Sequence, residues 1–144
     1  MNNYKQTEFF DLVDTAIKMN QTHRNITAYQ CVGIKSFYNE FCSVTIDVGR
    51  QSGKTSYIKS HTNINSVVIY HRKYNIENTN TPYILLHHDL KYPCHKFRGI
   101  SMQHIDYVYI DEGSFLGQAE RINLYEQIAL CTNNKRDITF VFLG

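Results

Sequence analysis

Ser43-Val-Thr-Ile-Asp-Val-Gly-Arg-Gln-Ser-Gly-Lys-Thr55 sets a β-branched run directly ahead of a glycine-bracketed turn that ends in Gly53-Lys54-Thr55. A strand entering such a turn, with a helix leaving it, is the layout of a phosphate-binding loop. The turn's backbone N–H groups close around a polyphosphate, the lysine reaches the β- and γ-phosphates, and the hydroxyl ligates Mg²⁺. Gly49, Arg50, Gln51, Ser52, Gly53, Lys54 and Thr55 are therefore the expected nucleotide-binding turn, with Thr55 also a metal ligand. The turn is a variant of G-x-x-x-x-G-K-[ST], because Val48 stands where the first glycine belongs and Gly49 comes one residue late.

A second element lies downstream. Ile105-Asp-Tyr-Val-Tyr-Ile-Asp-Glu112 is an apolar strand ending in adjacent acids. Taken singly, each half has an ordinary reading: a Gly-Lys-Thr can be a plain strand-to-helix turn, and an Asp-Glu pair can cap the helix that follows. Together, in this order and each behind a strand, they point to one nucleotide site. In P-loop NTPases of the additional-strand, catalytic-glutamate division, the corresponding Asp holds Mg²⁺ through water and the Glu polarises the attacking water. Asp111 and Glu112 take those places here. The interval between Thr55 and Asp111 leaves room for one or two βα units of a parallel sheet.

At 144 residues and 42% hydrophobic, the chain is expected to be one domain with one core. A formal charge of +2 is too close to neutral to argue for nucleic acid by itself, so any such contact has to come from local patches. Cys31, Cys42, Cys94 and Cys131 form no C-x-x-C pair, and the N-terminus has no apolar signal region. Those features lead to the expectation of an intracellular protein with free thiols. No apolar stretch approaches the roughly 18 residues needed to span a bilayer. The bias toward Asn, Ile, Lys and Tyr fits an AT-rich genome, such as that of a phage or its host.

Along the chain, Phe9, Leu12, Val13, Ala16 and Ile17 recur at helical spacing between Glu8 and Met19. Residues 1–26 are read as a helical extension of the single domain. A second helix is expected from Thr27, as N-cap, to Phe41, with Tyr29, Val32, Phe37 and Phe41 inward. Then come a strand at Ser43–Val48, a helix from Lys54 to Ser60 or beyond, and a strand at Val67–Tyr70. A polar loop spans Arg72–Pro82, a short strand Tyr83–His87, and a connection Lys91–Met102. The acidic strand follows at Tyr107–Ile110, then a helix at Gly117–Cys131 with Ala119, Ile122, Ile128 and Ala129 on one face, and a last strand at Ile138–Phe142. Uninterrupted apolar strands joined by helices call for a mainly parallel sheet covered on both sides, a three-layer α/β P-loop NTPase fold of RecA-like type.

On these residues the chain resembles the ATPase domain of phage large terminase subunits, the motors that package DNA into capsids. Arg50-Gln51-Ser52-Gly53-Lys54-Thr55 is similar to that family's variant phosphate loop, in which an Arg-Gln pair precedes Gly-Lys-Thr and the first glycine is often missing. Thr27-Ala-Tyr29-Gln30 resembles its adenine-recognition segment, and Phe97-Arg-Gly99 its Arg-Gly lead-in to the acidic strand, with Phe115 like the apolar residue that usually follows. The resemblance covers roughly residues 27 to 144. It implies ATP and Mg²⁺ as ligands, with Gln30 on the base, Lys54 on the β/γ-phosphates, Thr55 and Asp111 on the metal and Glu112 on the water. Arg50 becomes a candidate for stabilising transition-state charge. It further implies double-stranded DNA as polymer and a homo-oligomer or phage protein as partner. In the family a coupling motif, a lid and a nuclease domain follow, whereas this sequence stops at Phe140-Val-Phe-Leu-Gly144, so a short ATPase rather than an entire motor is expected.

His87, His88, Cys94, His95 and His104 form a loose imidazole and thiol set whose spacing matches no ordinary zinc site. Lys59, His61, Arg72 and Lys73, and separately Lys91, Lys96 and Arg98 beside Tyr92 and Phe97, are basic stretches that read as solvated surface or as single-strand contacts. A reduced helicase-like ATPase, a small-molecule kinase and a regulatory protein on a P-loop scaffold stay open as alternatives.

Overall fold

The computed structural model describes residues 3–26, 32–48, 53–77, 79–91 and 96–144. Its elements run α1 (Asn3–Ile26), α2 (Ile34–Phe41), β1 (Ser43–Ile46), α3 (Lys54–His61), β2 (Ser66–Tyr70), β3 (Ile84–Leu86), β4 (Tyr107–Asp111), α4 (Gln118–Cys131) and β5 (Thr139–Leu143), with short 3₁₀ turns between. All five strands are parallel, in the order β1-β5-β4-β2-β3.

Each strand is apolar at consecutive positions because the sheet is covered on both faces. Val67, Ile69, Val108, Ile110, Phe140 and Phe142 face α2 and α4, where they join Phe37, Tyr38, Leu124, Tyr125 and Ile128 in one cluster. The alternate positions Val68, Tyr70, Tyr109, Val141 and Leu143 face the other way, against Phe9, Val13 and Ile17 of α1 and Tyr57 and Ile58 of α3. The expected three-layer α/β arrangement with a parallel sheet is what the chain forms.

The helix of residues 3–26 thus supplies half of one layer. It is pinned at its far end by the buried Arg24, whose Nη1 donates to the Ile138 carbonyl at 2.7 Å and whose Nη2 meets Asp137 at 3.2 Å. Asn20 and Gln21 add bonds to the Phe41 carbonyl, the Tyr107 hydroxyl and Thr139. Leu12, expected inward, is 47% exposed, because the contact stripe of α1 narrows to Phe9, Val13 and Ile17.

Several boundaries move. α2 begins at Ile34, with Gly33 rather than Thr27 as N-cap, and Thr27 and Tyr29 lie outside the described residues. The helix turns Tyr38 fully inward beside Phe37. β1 stops at Ile46, two residues early, because its neighbour β5 gives out at Leu143, the partner of Ile46. The loop after β2 contains a 3₁₀ turn at Lys73–Ile76 and is tied back by a bond between the Tyr70 hydroxyl and Thr79 at 2.7 Å.

The face assigned to α4 is corrected. Ile128 and Ala129 are buried, but Ala119 and Ile122 are exposed, and Leu124, Tyr125 and Gln127 take the inward places instead. At 100° per residue Ala119 and Ile122 fall on the far side of the helix from Ile128. Of the cysteines, Cys42 is buried and Cys131 half-buried, both as free thiols, with Cys31 and Cys94 outside the described residues.

Candidate functional site

In an open parallel sheet the carboxyl ends of the strands share one edge, and ligands bind in the crevice outside that edge. β1 delivers the chain toward Gly53 there, and β4 delivers Asp111 and Glu112. Gly53 sits at φ 97, a left-handed conformation that glycine adopts without a Cβ clash. Its carbonyl accepts from the Tyr57 N–H at 2.8 Å to open α3, so Lys54 and Thr55 occupy the first helical turn. That turn's free N–H groups and dipole favour an anion.

Two contacts join the halves. Thr55 Oγ1 donates to Asp111 Oδ2 at 3.0 Å across 56 positions of sequence. Lys54 Nζ lies 3.7 Å from Glu112 Oε1, the lysine side chain 10% exposed and the glutamate 35%. The four residues singled out for phosphate, metal and water therefore meet at one place. Gln30, Gly49, Arg50, Gln51 and Ser52, the remaining expected site residues, lie outside the described residues.

Asp111 ends β4 and pairs with Leu143 of β5, which buries it to 1% exposure. Burial pushes its carboxyl pKa up; the Thr55 bond opposes that, and the Glu112 charge adds to it. A carboxylate placed so is stabilised by a cation. Oxygen donors on Thr55 and Asp111 suit Mg²⁺, which takes one or two protein ligands and fills its octahedron with water and phosphate. Because the folded-state pKa is raised, the folded chain binds more protons than the unfolded one between the ordinary carboxylate range and the raised value, and stability falls as pH climbs through that window. Asp111→Asn should accordingly raise the metal-free melting temperature at pH 7, with the gain fading as pH drops below the ordinary carboxylate pKa. Thermal melts from pH 3 to 8 check this, and a gain independent of pH would contradict it.

Glu112 adopts φ 54, ψ 43, a left-handed conformation uncommon for a residue with a side chain. Strain of this kind costs on the order of 1–3 kcal/mol and persists where the surroundings fix it. Here the Glu112 N–H is held by Asp111 Oδ1 at 3.0 Å, and its carbonyl accepts from the Phe115 N–H at 3.0 Å. Next to it, a Cβ on Gly113 would stand 3.0 Å from Phe142 Cβ and 3.3 Å from Phe142 Cα, too close to a backbone in a central strand to be relieved. Gly113→Ala should therefore cost about 1–3 kcal/mol in urea unfolding, through overpacking beside Glu112.

Two histidines complete the edge. His87 Nε2 donates to the Asp111 carbonyl at 2.8 Å, and burial lowers its pKa, keeping the ring neutral. Its Nδ1 faces His71 Nδ1 at 3.3 Å, and the His71 ring packs against exposed Phe115 at 5.0 Å. Sequence reasoning gave His71 no role and grouped His87 with other imidazoles. The available signal was position, since each immediately follows a parallel strand. His88 pairs with Asp89 and His104 packs on Tyr83, so these imidazoles separate, and among the described residues no group of three His, Cys, Asp or Glu can hold a metal ion.

The basic stretches also resolve into neighbours. His61 stacks on Tyr57 at 3.8 Å and meets Asp14 at 3.7 Å, while Lys96 meets Asp89 at 3.7 Å. Phe97 is 5% exposed and offers no open ring for a base to stack on. Gly99, of the Arg-Gly pair, takes φ +81 in the turn closed by the Ile100 N–H on the Phe97 carbonyl.

Fold and site together define a three-layer α/β protein carrying a lysine, a threonine hydroxyl and two acids at the carboxyl edge of its parallel sheet. Comparison with protein-family models, curated proteins and solved structures finds no match to this chain. Among the described residues no helix is long and apolar enough to cross a membrane.

Proposed function

We propose that the chain is a Mg²⁺-dependent ATPase of the P-loop class, similar to the ATPase domain of phage DNA-packaging terminases. The observation that carries this reading is the meeting of Thr55 with Asp111 at 3.0 Å and of Lys54 with Glu112 at 3.7 Å. Strand order adds support: β5 lies between β1, which leads to the lysine, and β4, which bears the acids. Its position fits that of the additional strand for which the catalytic-glutamate division is named.

In this reading Lys54 leaves Glu112 for the β- and γ-phosphates when ATP enters, and Glu112 is freed to orient and deprotonate water. Thr55 and Asp111 would hold Mg²⁺, whose charge offsets that of the phosphates. Positioning and charge neutralisation supply the rate, with Arg50 the candidate for transition-state charge and Gln30 for the adenine edge. Double-stranded DNA is the proposed polymer, and a second copy or a phage protein the proposed partner.

The test is steady-state ATP hydrolysis with Mg²⁺, with and without double-stranded DNA, on the purified chain and on Lys54→Ala. Turnover that disappears in Lys54→Ala supports the ATPase, and stimulation by DNA supports the terminase-like role. Equal turnover in both proteins would sink the reading.

A further inference from the structure

The peptide that joins Asp111 to Glu112 is held at both of its polar atoms by side chains. Its carbonyl accepts from His87 Nε2 at 2.8 Å, and its N–H donates to Asp111 Oδ1 at 3.0 Å. His87 follows β3, which β2 separates from β4, so the ring reaches past the end of β2 to make this bond. A carbonyl only accepts, so Nε2 of His87 carries the proton. With the ring kept neutral by burial, Nδ1 is left as an acceptor, and His71 Nδ1, 3.3 Å away, is the donor that faces it. His71 is half-buried and packs against Phe115, in the turn that follows Glu112. The bonds thus run in one direction, from His71 through His87 to the backbone beside Glu112.

We propose, resting on the ATPase reading above, that His87, itself held by His71, is a positioning residue for Glu112. A peptide is a rigid plane, so turning it changes ψ of the residue before it and φ of the residue after it together. Glu112 has φ 54, in the left-handed region that is costly for a residue with a side chain. Released from His87, the peptide is free to flip, which returns Glu112 to negative φ and swings its carboxylate from its place 3.7 Å from Lys54 Nζ. The bond from His87 opposes that relaxation. A displacement of about 1 Å in a reacting group costs on the order of 10²-fold in rate, whereas ATP affinity, which the reading assigns to Lys54 and its loop, does not depend on the aim of Glu112. Neither histidine needs to touch phosphate or metal, since both act through the backbone.

Steady-state ATP hydrolysis and NMR amide hydrogen exchange, on the unaltered chain, His87→Leu, His87→Gln, His71→Phe and His71→Asn, test the proposal. Glutamine returns a donor near the place of Nε2, and asparagine one near the place of Nδ1. His87→Leu should lower kcat roughly 10- to 100-fold with KM for ATP unchanged, and His87→Gln should recover most of that loss. His71→Phe should lower kcat in the same sense and His71→Asn restore it, and this pair, at a half-buried position, decides the matter if His87→Leu does not fold. In exchange, without nucleotide, the Glu112 N–H should lose protection in His87→Leu and keep it in His87→Gln. A histidine that only stabilised the fold would not separate kcat from KM. Absence of turnover in the unaltered chain would overturn the ATPase reading alone, and the exchange comparison would still decide whether His87 fixes Glu112. The proposal is overturned if His87→Leu keeps its kcat, if the Leu and Gln variants are equally impaired, or if Glu112 exchanges alike in all the proteins.

Discussion

Glu112→Gln should leave ATP bound and lower its turnover by about 10²–10⁴-fold, the range a positioned general base contributes. The substitution keeps side-chain length, so the left-handed backbone at position 112 and the bond from its N–H to Asp111 are retained. What disappears is the carboxylate that, in the proposed mechanism, accepts a proton from water. Loss of that charge also releases Lys54 from its partner at 3.7 Å, so affinity for ATP should hold or rise in this variant. Lys54→Ala should behave oppositely, losing affinity and turnover together, since in the proposed mechanism the lysine would meet phosphate in ground state and transition state alike. Binding measured by titration and turnover measured separately distinguish the two patterns. If Glu112→Gln hydrolysed ATP at the unaltered rate, Glu112 would not be the base and the proposed mechanism would fail.

Phe140→Ala should cost about 3–5 kcal/mol and lower the melting temperature by roughly 10 °C or more. Phe140 is fully buried in β5, between β1 and β4, with the Tyr38 ring at 4.8 Å and the Tyr125 ring at 5.0 Å. Strands on both sides and helices above leave little freedom to collapse into the vacated volume, which is what sets the cost of a large-to-small change. Ile122→Ala, on the exposed side of α4, should by contrast change stability by no more than about 0.5 kcal/mol. Chemical unfolding of the two variants compares them directly. A large loss from Ile122→Ala would restore the inward face first assigned to that helix.

That helix shows where a linear reading falters. Ala119 and Ile122 are as apolar as residues that do face the core, and periodicity alone admits more than one stripe over so short a span. The stripe is chosen by what lies beneath it: Tyr125 and Ile128 fit against Phe140 and the β4 positions, and the helix turns to suit them, carrying polar Gln127 inward. The early stop of β1 has a similar origin, since a strand persists only while a neighbour pairs with it. By contrast, Lys54, Thr55, Asp111 and Glu112 were all legible, because each belongs to a short motif with its own local geometry.

The sequence by itself determined the parallel α/β character, the helix opening at Lys54 and the acids ending an apolar strand. Continuous β-branched runs, a glycine able to take positive φ and a hydroxyl behind a lysine act within a few residues of one another. Only the tertiary structure decided that β5 separates β1 from β4, that His87 reaches the Asp111 carbonyl, and that the Gln127 amide is buried without a partner among the described residues. Those are contacts between segments far apart in the chain, set by how complete layers pack, and no local pattern of residues encodes them.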